Sequence, residues 1–297
     1  MKKTSTLSFM LMIVSICNAQ ELINLYPGSI PNSKKSGIQE TAGGFIKGVT
    51  APKLEIYLPD QGKANGSAVI VVPGGGYSGL TYQGEGVRTA KELAKTGITA
   101  FVLKYRLPDD STMIDKKIGP LQDAQQAIKT VRENASKWGI DPARIGLMGF
   151  SAGGHLASIV ATRFEETFIE NREGTSLRPD FLILVYPVTS MQDNLTHMDS
   201  RNALLGKNPP KDLVDKYSSE LQVTEKTPPT YITQTGDDRL VDVDNSIVFY
   251  ESLRHKNVPA EMHLYPRGGH GFLLAKPVDE WVPQLLLWMR NSKFIGK

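Results

Sequence analysis

Short apolar runs alternate with longer amphipathic stretches along most of the chain. The amphipathic stretches have apolar residues every three or four positions and predict helices over residues 84–96, 120–138, 152–163, 243–255 and 280–291. The apolar runs predict buried strands near residues 67–73, 98–104, 143–149, 180–187, 229–234 and 260–265. Two further runs, near 42–48 and 53–58, are expected to begin the sheet as an antiparallel edge. This alternation is typical of an α/β fold, in which a mainly parallel central sheet has helices on both faces.

One connection between two predicted core strands is unusually long. Residues 188–228 make a connection of about forty residues, and connections of that length are uncommon and usually functional. The segment contains two stretches that are able to form short helices, 200–205 and 210–219. We therefore expect a small cap over the functional site that influences substrate choice. The remainder shows no linker or repeat, so a single domain over residues 20–297 is predicted.

The beginning of the sequence predicts export. Two lysines precede an apolar run over residues 7–16, and the small residue Ala19 stands before the expected cleavage point, which is typical of a signal peptide over residues 1–19. A lipoprotein box ending at Cys17 is the less favoured alternative, because the bulky Ile16 stands where a small residue is expected. We expect a periplasmic or secreted protein. Its only cysteine belongs to this segment, so no disulfide is predicted.

Charge and histidine spacing exclude several function classes. Without the predicted signal peptide the chain has 32 basic and 31 acidic residues, so neither nucleic acid nor a membrane surface is an expected partner. The histidines are scattered and lack the spacing of metal ligands, so no metal or other cofactor is predicted. No pair of carboxylates stands out as the acid and base of a glycosidase.

The pentapeptide Gly-Phe-Ser-Ala-Gly at residues 149–153 directly follows a predicted strand. A G-x-S-x-G pattern between a strand and a helix indicates a nucleophile elbow, in which a sharp and strained turn exposes the serine hydroxyl. Ser151 is therefore the candidate nucleophile. In this turn the backbone N–H of Ala152 faces the oxygen of the reacting carbonyl group.

A serine nucleophile requires a histidine base, and His270 is the best candidate among five histidines. It lies between glycines in a loop after the last predicted strand, where it is able to reach the serine. His155 follows Ser151 by one helical turn and is expected to pack beside the elbow. His263 alternates with apolar residues in a strand and is read as structural. The two others, His197 and His255, lie in polar stretches and are expected to be solvated.

The carboxylate that orients the histidine is expected after the strand near 229–234. Two neighbouring aspartates, Asp237 and Asp238, compete for this role. Adjacent residues that leave a strand point in different directions, so one faces the histidine while the other caps the turn. We favour Asp238 as the acid.

Three glycines, Gly74 to Gly76, follow the strand near 67–73 and predict an oxyanion loop. Glycines let backbone N–H groups converge on a substrate oxygen without a Cβ in the way, and Gly75, Gly76 and Ala152 are the candidate donors. A phosphate-binding loop is excluded, because no Gly-Lys-Ser/Thr follows. Tyr77, Tyr82 and Glu85, next to this loop, are candidate sugar contacts.

These motifs resemble the acetylxylan and feruloyl esterase-like serine hydrolases of Bacteroidota, within the α/β-hydrolase superfamily. The segments that carry the resemblance are PGGGY at 73–77, AFVLKYRLP at 100–108, GFSAGGHLAS at 149–158 and GGHGF at 268–272. The resemblance covers nearly the whole chain after residue 19. It implies the α/β-hydrolase fold, the triad Ser151, Asp238 and His270, and a substrate that is acylated plant polysaccharide or its oligosaccharides, with no cofactor.

Removal of acetyl or other small acyl groups is the expected reaction. Two alternatives of similar chemistry are a feruloyl esterase and a peptidase of the prolyl-oligopeptidase type, although the chain has no room for a propeller. An inactive carbohydrate-binding module is a third alternative. It is disfavoured because such a module has no physical reason to keep nucleophile, base, acid and oxyanion glycines together.

Overall fold

The computed structural model describes residues 21–276 and 278–296 of the chain. The predicted signal peptide at residues 1–19 lies outside the described residues and stays a prediction. Within the described part, eight strands form one sheet in the order β1-β2-β4-β3-β5-β6-β7-β8. They are β1 (Glu21–Asn24), β2 (Lys53–Tyr57), β3 (Ala68–Val72), β4 (Thr99–Lys104), β5 (Ile145–Phe150), β6 (Phe181–Val185), β7 (Thr230–Thr235) and β8 (Ala260–Tyr265).

The pairs β1–β2 and β2–β4 at one edge of the sheet are antiparallel, and all the other neighbouring strands are parallel. This confirms the predicted α/β-hydrolase class. Strand β3 lies between β4 and β5, so the chain reverses its direction of travel across the sheet after β4. Such a reversal leaves a crevice at the carboxyl ends of the two strands on either side of it, where α/β proteins bind ligands. The predicted oxyanion loop follows β3 and the predicted nucleophile follows β5, so both lie at this crevice.

The helices connect the strands and cover the sheet. They are α1 (Arg88–Lys95), α2 (Gly119–Glu133), α3 (Ser151–Thr162), α4 (Met198–Leu205), α5 (Lys211–Tyr217), α6 (Asp244–His255), α7 (Phe272–Ala275) and α8 (Val278–Asn291). A π-helical turn, Tyr82–Val87, leads directly into α1, and short 3₁₀ turns follow α2 and α5 at Ala135–Trp138 and Ser219–Gln222. In the described part of the chain, no helix is both long and apolar enough to cross a bilayer.

The apolar core fills the space between sheet and helices. All residues of β3 to β7 are buried, as the continuous apolar runs predict for strands covered on both faces. A buried ion pair adds a polar link between the end of β4 and α2: the Arg106 guanidinium donates to both carboxylate oxygens of Asp123, with Nη2–Oδ1 2.7 Å and Nε–Oδ2 2.9 Å.

Three predicted elements differ from the structure. The strand predicted near 42–48 is wrong: Gly43, Gly44 and Gly48 interrupt this stretch, and only Ile46 forms an isolated antiparallel bridge, with Leu80. The antiparallel edge is formed by β1 and β2 instead. The helix predicted over 84–96 is divided into the π-helical turn and α1, and the helix predicted over 120–138 ends as an α-helix at Glu133 and continues as a 3₁₀ turn.

The long segment 188–228 contains α4, α5 and a 3₁₀ turn, close to the two short helices predicted. Most of it packs against the helices of the core domain. The Ser158 hydroxyl of α3 donates to Ser219 Oγ at 2.9 Å, and the N–H of Thr189 donates to the side chain of Asn245 in α6 at 3.0 Å. The segment is therefore anchored in the fold. Its first residue, Val188, donates its N–H to the Ser151 carbonyl at 3.1 Å, and His197 also lies beside the predicted site.

Candidate active site

Ser151 lies at the sharp turn between β5 and α3. Its φ of 49° is in the left-handed region, which costs energy for a residue with a side chain and is the strain expected of a nucleophile elbow. The glycines on either side make the turn possible. A Cβ at Gly149 would lie 2.4 Å from the Gly153 carbonyl oxygen, and a Cβ at Gly153 would lie 2.2 Å from the carbonyl oxygen of Val72 in β3. Close packing of strand and helix therefore depends on both glycines.

His270 is within hydrogen-bonding distance of Ser151. Its Nε2 lies 3.0 Å from Ser151 Oγ, and its Nδ1 lies 2.8 Å from Asp238 Oδ2. The loop that presents the imidazole has positive φ at Gly268, Gly269 and Gly271, of 146°, 62° and 84°. These glycines let the chain turn back over the sheet after β8.

Asp238 has a buried carboxylate with several donors. Its Oδ1 accepts the N–H groups of Leu240 and Val241, both at 3.0 Å, and its Oδ2 also accepts from Gln234 Nε2 at 3.2 Å. Burial raises the pKa of Asp238, but the hydrogen bonds from His270 and from the backbone outweigh burial and leave the pKa below its ordinary value. An ionised Asp238 accepts Nδ1–H of His270, so Nε2 is free to accept the serine proton.

Asp237 has a different role from its neighbour. Its side chain is exposed, and its Oδ1 accepts the N–H of Gly269 at 2.9 Å. This hydrogen bond is the largest reason why the pKa of Asp237 lies below its ordinary value. Asp237 therefore supports the backbone of the histidine loop, whereas Asp238 contacts the imidazole itself.

The loop after β3 has the backbone of an oxyanion site. Gly75, Gly76 and Tyr77 have consecutive positive φ values of 127°, 63° and 57°. A Cβ at Gly75 would lie 2.3 Å from the Gly79 carbonyl oxygen, so the turn excludes a side chain there. Within the described residues, the N–H groups of Gly75 and Gly76 have no acceptor. The N–H of Ala152, in the first turn of α3, has no partner in its own helix, so these donors are available to a substrate oxygen.

The three residues that the sequence suggested as sugar contacts, Tyr77, Tyr82 and Glu85, have buried side chains. Tyr77 is buried, and its hydroxyl donates to His155 Nδ1 at 2.7 Å. Tyr82 is buried, and its hydroxyl donates to Glu55 at 2.6 Å. Glu85 is also buried and accepts the N–H of Gly74. The loop looks polar and solvent-accessible in the sequence, but its side chains turn inward and bind protein groups.

The remaining histidines include one that the sequence interpretation misplaced. His155 is fully buried beside the elbow, as expected, and donates from Nε2 to the Tyr217 carbonyl at 2.7 Å. His263 contacts Glu261, and His255 is exposed on α6. His197, expected to be solvated, is half-buried near the oxyanion loop: a Cβ at Gly76 would lie 3.8 Å from its Cε1. The polarity of its neighbours in sequence gave no sign of this position.

Two other residues beside the triad were not identified from the sequence. Tyr186 follows β6, and its ring packs on the His270 ring with 4.6 Å between centroids. Gln234, at the end of β7, binds both Asp238 and the Ser246 hydroxyl. Their place at the carboxyl ends of β6 and β7 could have identified them from the sequence, because polar residues at the carboxyl ends of parallel strands line the ligand-binding edge of the sheet.

The described residues contain no cluster of metal-ligand side chains. Among them, no three His, Cys, Asp or Glu side chains come together in an arrangement that could hold a metal ion. The site itself brings together a serine hydroxyl, an imidazole and a carboxylate.

Comparison with known proteins identifies relatives of this chain. The sequence pattern of the family described as BD-FAE matches residues 54–253. An acetylxylan esterase from Xylanibacter ruminicola is 39% identical over 82% of this chain and 51% of its own length. Endo-1,4-beta-xylanase B from Butyrivibrio fibrisolvens is 38% identical over 80% of this chain and 36% of its own length. The chain thus spans about half of the first relative and about a third of the second.

A solved structure covers nearly the whole molecule. The acetyl ester-xyloside bifunctional hydrolase from Caldicellulosiruptor lactoaceticus superposes with a TM-score of 0.79 and 38% sequence identity. The match covers 93% of this chain and 97% of that one. A carboxylesterase from Lactobacillus plantarum, at 21% identity and a TM-score of 0.67, shares the fold.

Proposed function

Because the chain belongs to the BD-FAE family of α/β-hydrolases, the acetylxylan and feruloyl esterase-like serine hydrolases, we propose that it removes acetyl groups from xylan or xylo-oligosaccharides. The observation that carries the reaction type is the chain of contacts from Asp238 through His270 to Ser151, with distances of 2.8 and 3.0 Å. The substrate class is supported by the relatives named acetylxylan esterase and acetyl ester-xyloside bifunctional hydrolase.

The reaction proceeds in two acyl-transfer steps. Ser151 Oγ attacks the acetyl carbonyl carbon while its proton passes to His270 Nε2, and Asp238 stabilises the resulting imidazolium. The negative oxygen of the tetrahedral intermediate accepts hydrogen bonds from the N–H groups of Gly75, Gly76 and Ala152. The sugar oxygen then leaves with the proton from His270. Water, deprotonated by the same imidazole, releases acetate from the acyl-enzyme.

Acetate release from acetylated xylo-oligosaccharides tests this proposal. The purified protein is assayed beside feruloylated arabinoxylan oligosaccharides and a peptide p-nitroanilide, with Ser151→Ala as the control for background. We expect kcat/KM to be highest on the acetylated substrate, and the activity to vanish in the serine variant. Faster release of ferulate would favour the feruloyl esterase alternative. Cleavage of the anilide alone would favour a peptidase.

A further inference from the structure

The two-step mechanism leaves one buried carboxylate beside the active site without a role. Glu85 is 4% exposed, and each of its carboxylate oxygens accepts one hydrogen bond. Oε2 accepts the N–H of Gly74 at 2.6 Å, and Oε1 accepts the hydroxyl of Tyr186 at 3.0 Å. Gly74 directly precedes the proposed oxyanion donors, and Tyr186 packs on the catalytic imidazole. Glu85 therefore binds both Gly74, next to the oxyanion donors, and Tyr186, which contacts the catalytic histidine.

The π-helical turn at Tyr82–Val87 fixes Glu85 in this place. Thr81 donates its N–H to the Gly74 carbonyl at 2.9 Å and accepts the N–H of Glu85 at 2.9 Å. Both backbone polar groups of Gly74 are thus held by the segment that carries Glu85. A Cβ at Gly74 would lie 2.8 Å from Ser151 Cβ and 3.0 Å from Glu85 Oε2, so this glycine lets the carboxylate approach the elbow.

Tyr186 links Glu85 to His270. It has a φ of 37° and is fully buried, with its ring 4.6 Å from the His270 ring and 5.8 Å from the Phe150 ring between centroids. Its backbone N–H donates to the Thr233 carbonyl at 2.8 Å. With its backbone and ring held in this way, the tyrosine has little freedom to move, and its hydroxyl donates to the Glu85 carboxylate.

The charges around Glu85 suggest why the residue is a carboxylic acid rather than an amide. Among the described residues, His270 is the group whose positive charge, once it takes the serine proton, acts on Glu85. The other titratable neighbours, Tyr105 and Tyr186, have pKa values raised above the ordinary range by burial. Burial also raises the pKa of Glu85 to about 7, although the hydrogen bonds from Gly74 and Tyr186 partly oppose this. A glutamine would accept the Gly74 N–H through its amide oxygen and donate to the Tyr186 oxygen through its amide nitrogen, without the cost of burying a charge. The carboxylate becomes favourable when a cation forms nearby, and His270 becomes that cation in each acyl-transfer step.

We propose that Glu85 is a positioning residue of the esterase, which holds the oxyanion loop through Gly74, orients His270 through Tyr186, and stabilises the imidazolium by its negative charge. Glu85 takes no proton in the reaction: the proton moves from Ser151 Oγ to His270 Nε2 and on to the leaving oxygen. The inference depends on serine ester hydrolysis and not on the sugar substrate, so it is independent of the acetylxylan proposal.

The pH dependence of Glu85→Gln tests the proposed charge effect. We measure kcat and KM on p-nitrophenyl acetate between pH 5.5 and 8.5 for both proteins. Coulomb's law at the effective dielectric of a protein predicts a loss in kcat on the order of tenfold at the alkaline end. The loss should shrink toward the acid end, where the wild-type carboxylate is protonated as well. A loss of equal size at every pH, or no loss, would overturn the proposal.

Two further variants separate charge from structure. Glu55→Gln is the matched control, since Glu55 also accepts two tyrosine hydroxyl bonds, from Tyr57 and Tyr82 at 2.6 Å each, but lies on β2. We expect its profile to match the wild type. Tyr186→Phe removes one donor to Glu85, so the carboxylate protonates more easily and the rise in activity should move to higher pH. If Glu85→Gln does not fold, an unmoved profile in Tyr186→Phe overturns the proposal.

The rate at which a fluorophosphonate modifies Ser151 provides a second readout. This reaction requires an activated serine but no sugar ester. For each of the three variants, we expect the rate of modification to depend on pH in the same way as the kcat of that variant. A normal pattern of modification together with no acetate release from xylo-oligosaccharides would contradict the substrate proposal alone. Normal acetate release with a pH-independent effect of Glu85→Gln would contradict only the role of Glu85.

Discussion

At the scale of single residues, Ser151 is the position on which the proposed reaction depends. Ser151→Ala removes one oxygen atom from a side chain that is only 5% exposed, so we expect the thermal unfolding temperature to stay nearly unchanged. The expected loss in kcat is roughly 10⁵–10⁶, as for other enzymes that lose the nucleophile of a triad. Measurement on p-nitrophenyl acetate checks this. Retention of a tenth of the activity would show that another nucleophile acts.

The neighbouring aspartates form a natural pair for comparison. Asp238→Asn removes the charge that fixes the tautomer of His270, and the expected cost is on the order of 10³–10⁴ in kcat. Asp237→Asn keeps an oxygen that accepts the Gly269 N–H, so we expect a loss below tenfold. Both are measured on the same ester at pH 8. A larger loss in the Asp237 variant would mean that the acid has been misassigned.

The order of the motifs along the chain was sufficient to predict that Ser151, Asp238 and His270 come together. The elbow, the glycine-flanked His270 and the aspartates after β7 each follow a strand, and parallel strands bring their carboxyl ends to one edge. The direction of side chains in the loop after β3 could not be predicted. Tyr82 and Glu85 face inward because the chain forms a π-helical turn there, and no local pattern in the sequence signals that turn.

At the scale of elements, the long segment 188–228 is expected to act on the substrate through His197. The Nδ1 of this residue lies 2.7 Å from Ser200 Oγ in α4, and within the part of the chain that is described its Nε2 has no hydrogen-bond partner. A free ring nitrogen beside the oxyanion loop is suited to bind a sugar hydroxyl. The length of the segment predicted that it influences substrate choice, but the length alone could not indicate His197 as the residue that contacts the substrate.

His197→Ala tests this contact. We expect KM for acetylated xylo-oligosaccharides to rise by about fivefold to tenfold, the value of one hydrogen bond, while KM for p-nitrophenyl acetate changes little because that ester has no sugar. His255→Ala, an exposed histidine on α6, is the matched control. Equal effects on both esters would indicate that His197 acts on the catalytic groups and not on the sugar.

The elements also show where sequence patterns fail. Strands β3 to β8 were predicted because a buried parallel strand needs a continuous or alternating apolar run, and these runs are unambiguous. The stretch 42–48 has apolar residues too, but its glycines lower the preference for a strand, and the edge position is occupied by β1. Pairing at a sheet edge depends on distant segments, which is why a local pattern was insufficient.

At the scale of the whole molecule, one buried histidine connects three parts of the fold. His155 lies in α3, accepts the hydroxyl of Tyr77 from the oxyanion loop, and donates to the carbonyl of Tyr217 at the end of α5, at 2.7 Å in each case. Burial lowers the pKa of His155 to about 4, and the hydrogen bond to Tyr217 only partly opposes this. The folded protein therefore holds a neutral imidazole that the unfolded chain would protonate at higher pH.

This difference predicts a loss of stability in acid. The folded pKa is depressed below the ordinary value of about 6.5 for histidine, so the unfolded chain binds more protons between pH 6.5 and 4. The free energy of unfolding falls as the pH falls through this window, by about 3 kcal/mol from this group. His155→Gln removes the titration, so we expect a smaller decrease in the variant, measured by urea unfolding at several pH values. His263→Gln is the control, because His263 is half-buried beside Glu261. Parallel curves for the wild type and His155→Gln would show that His155 does not cause the acid sensitivity.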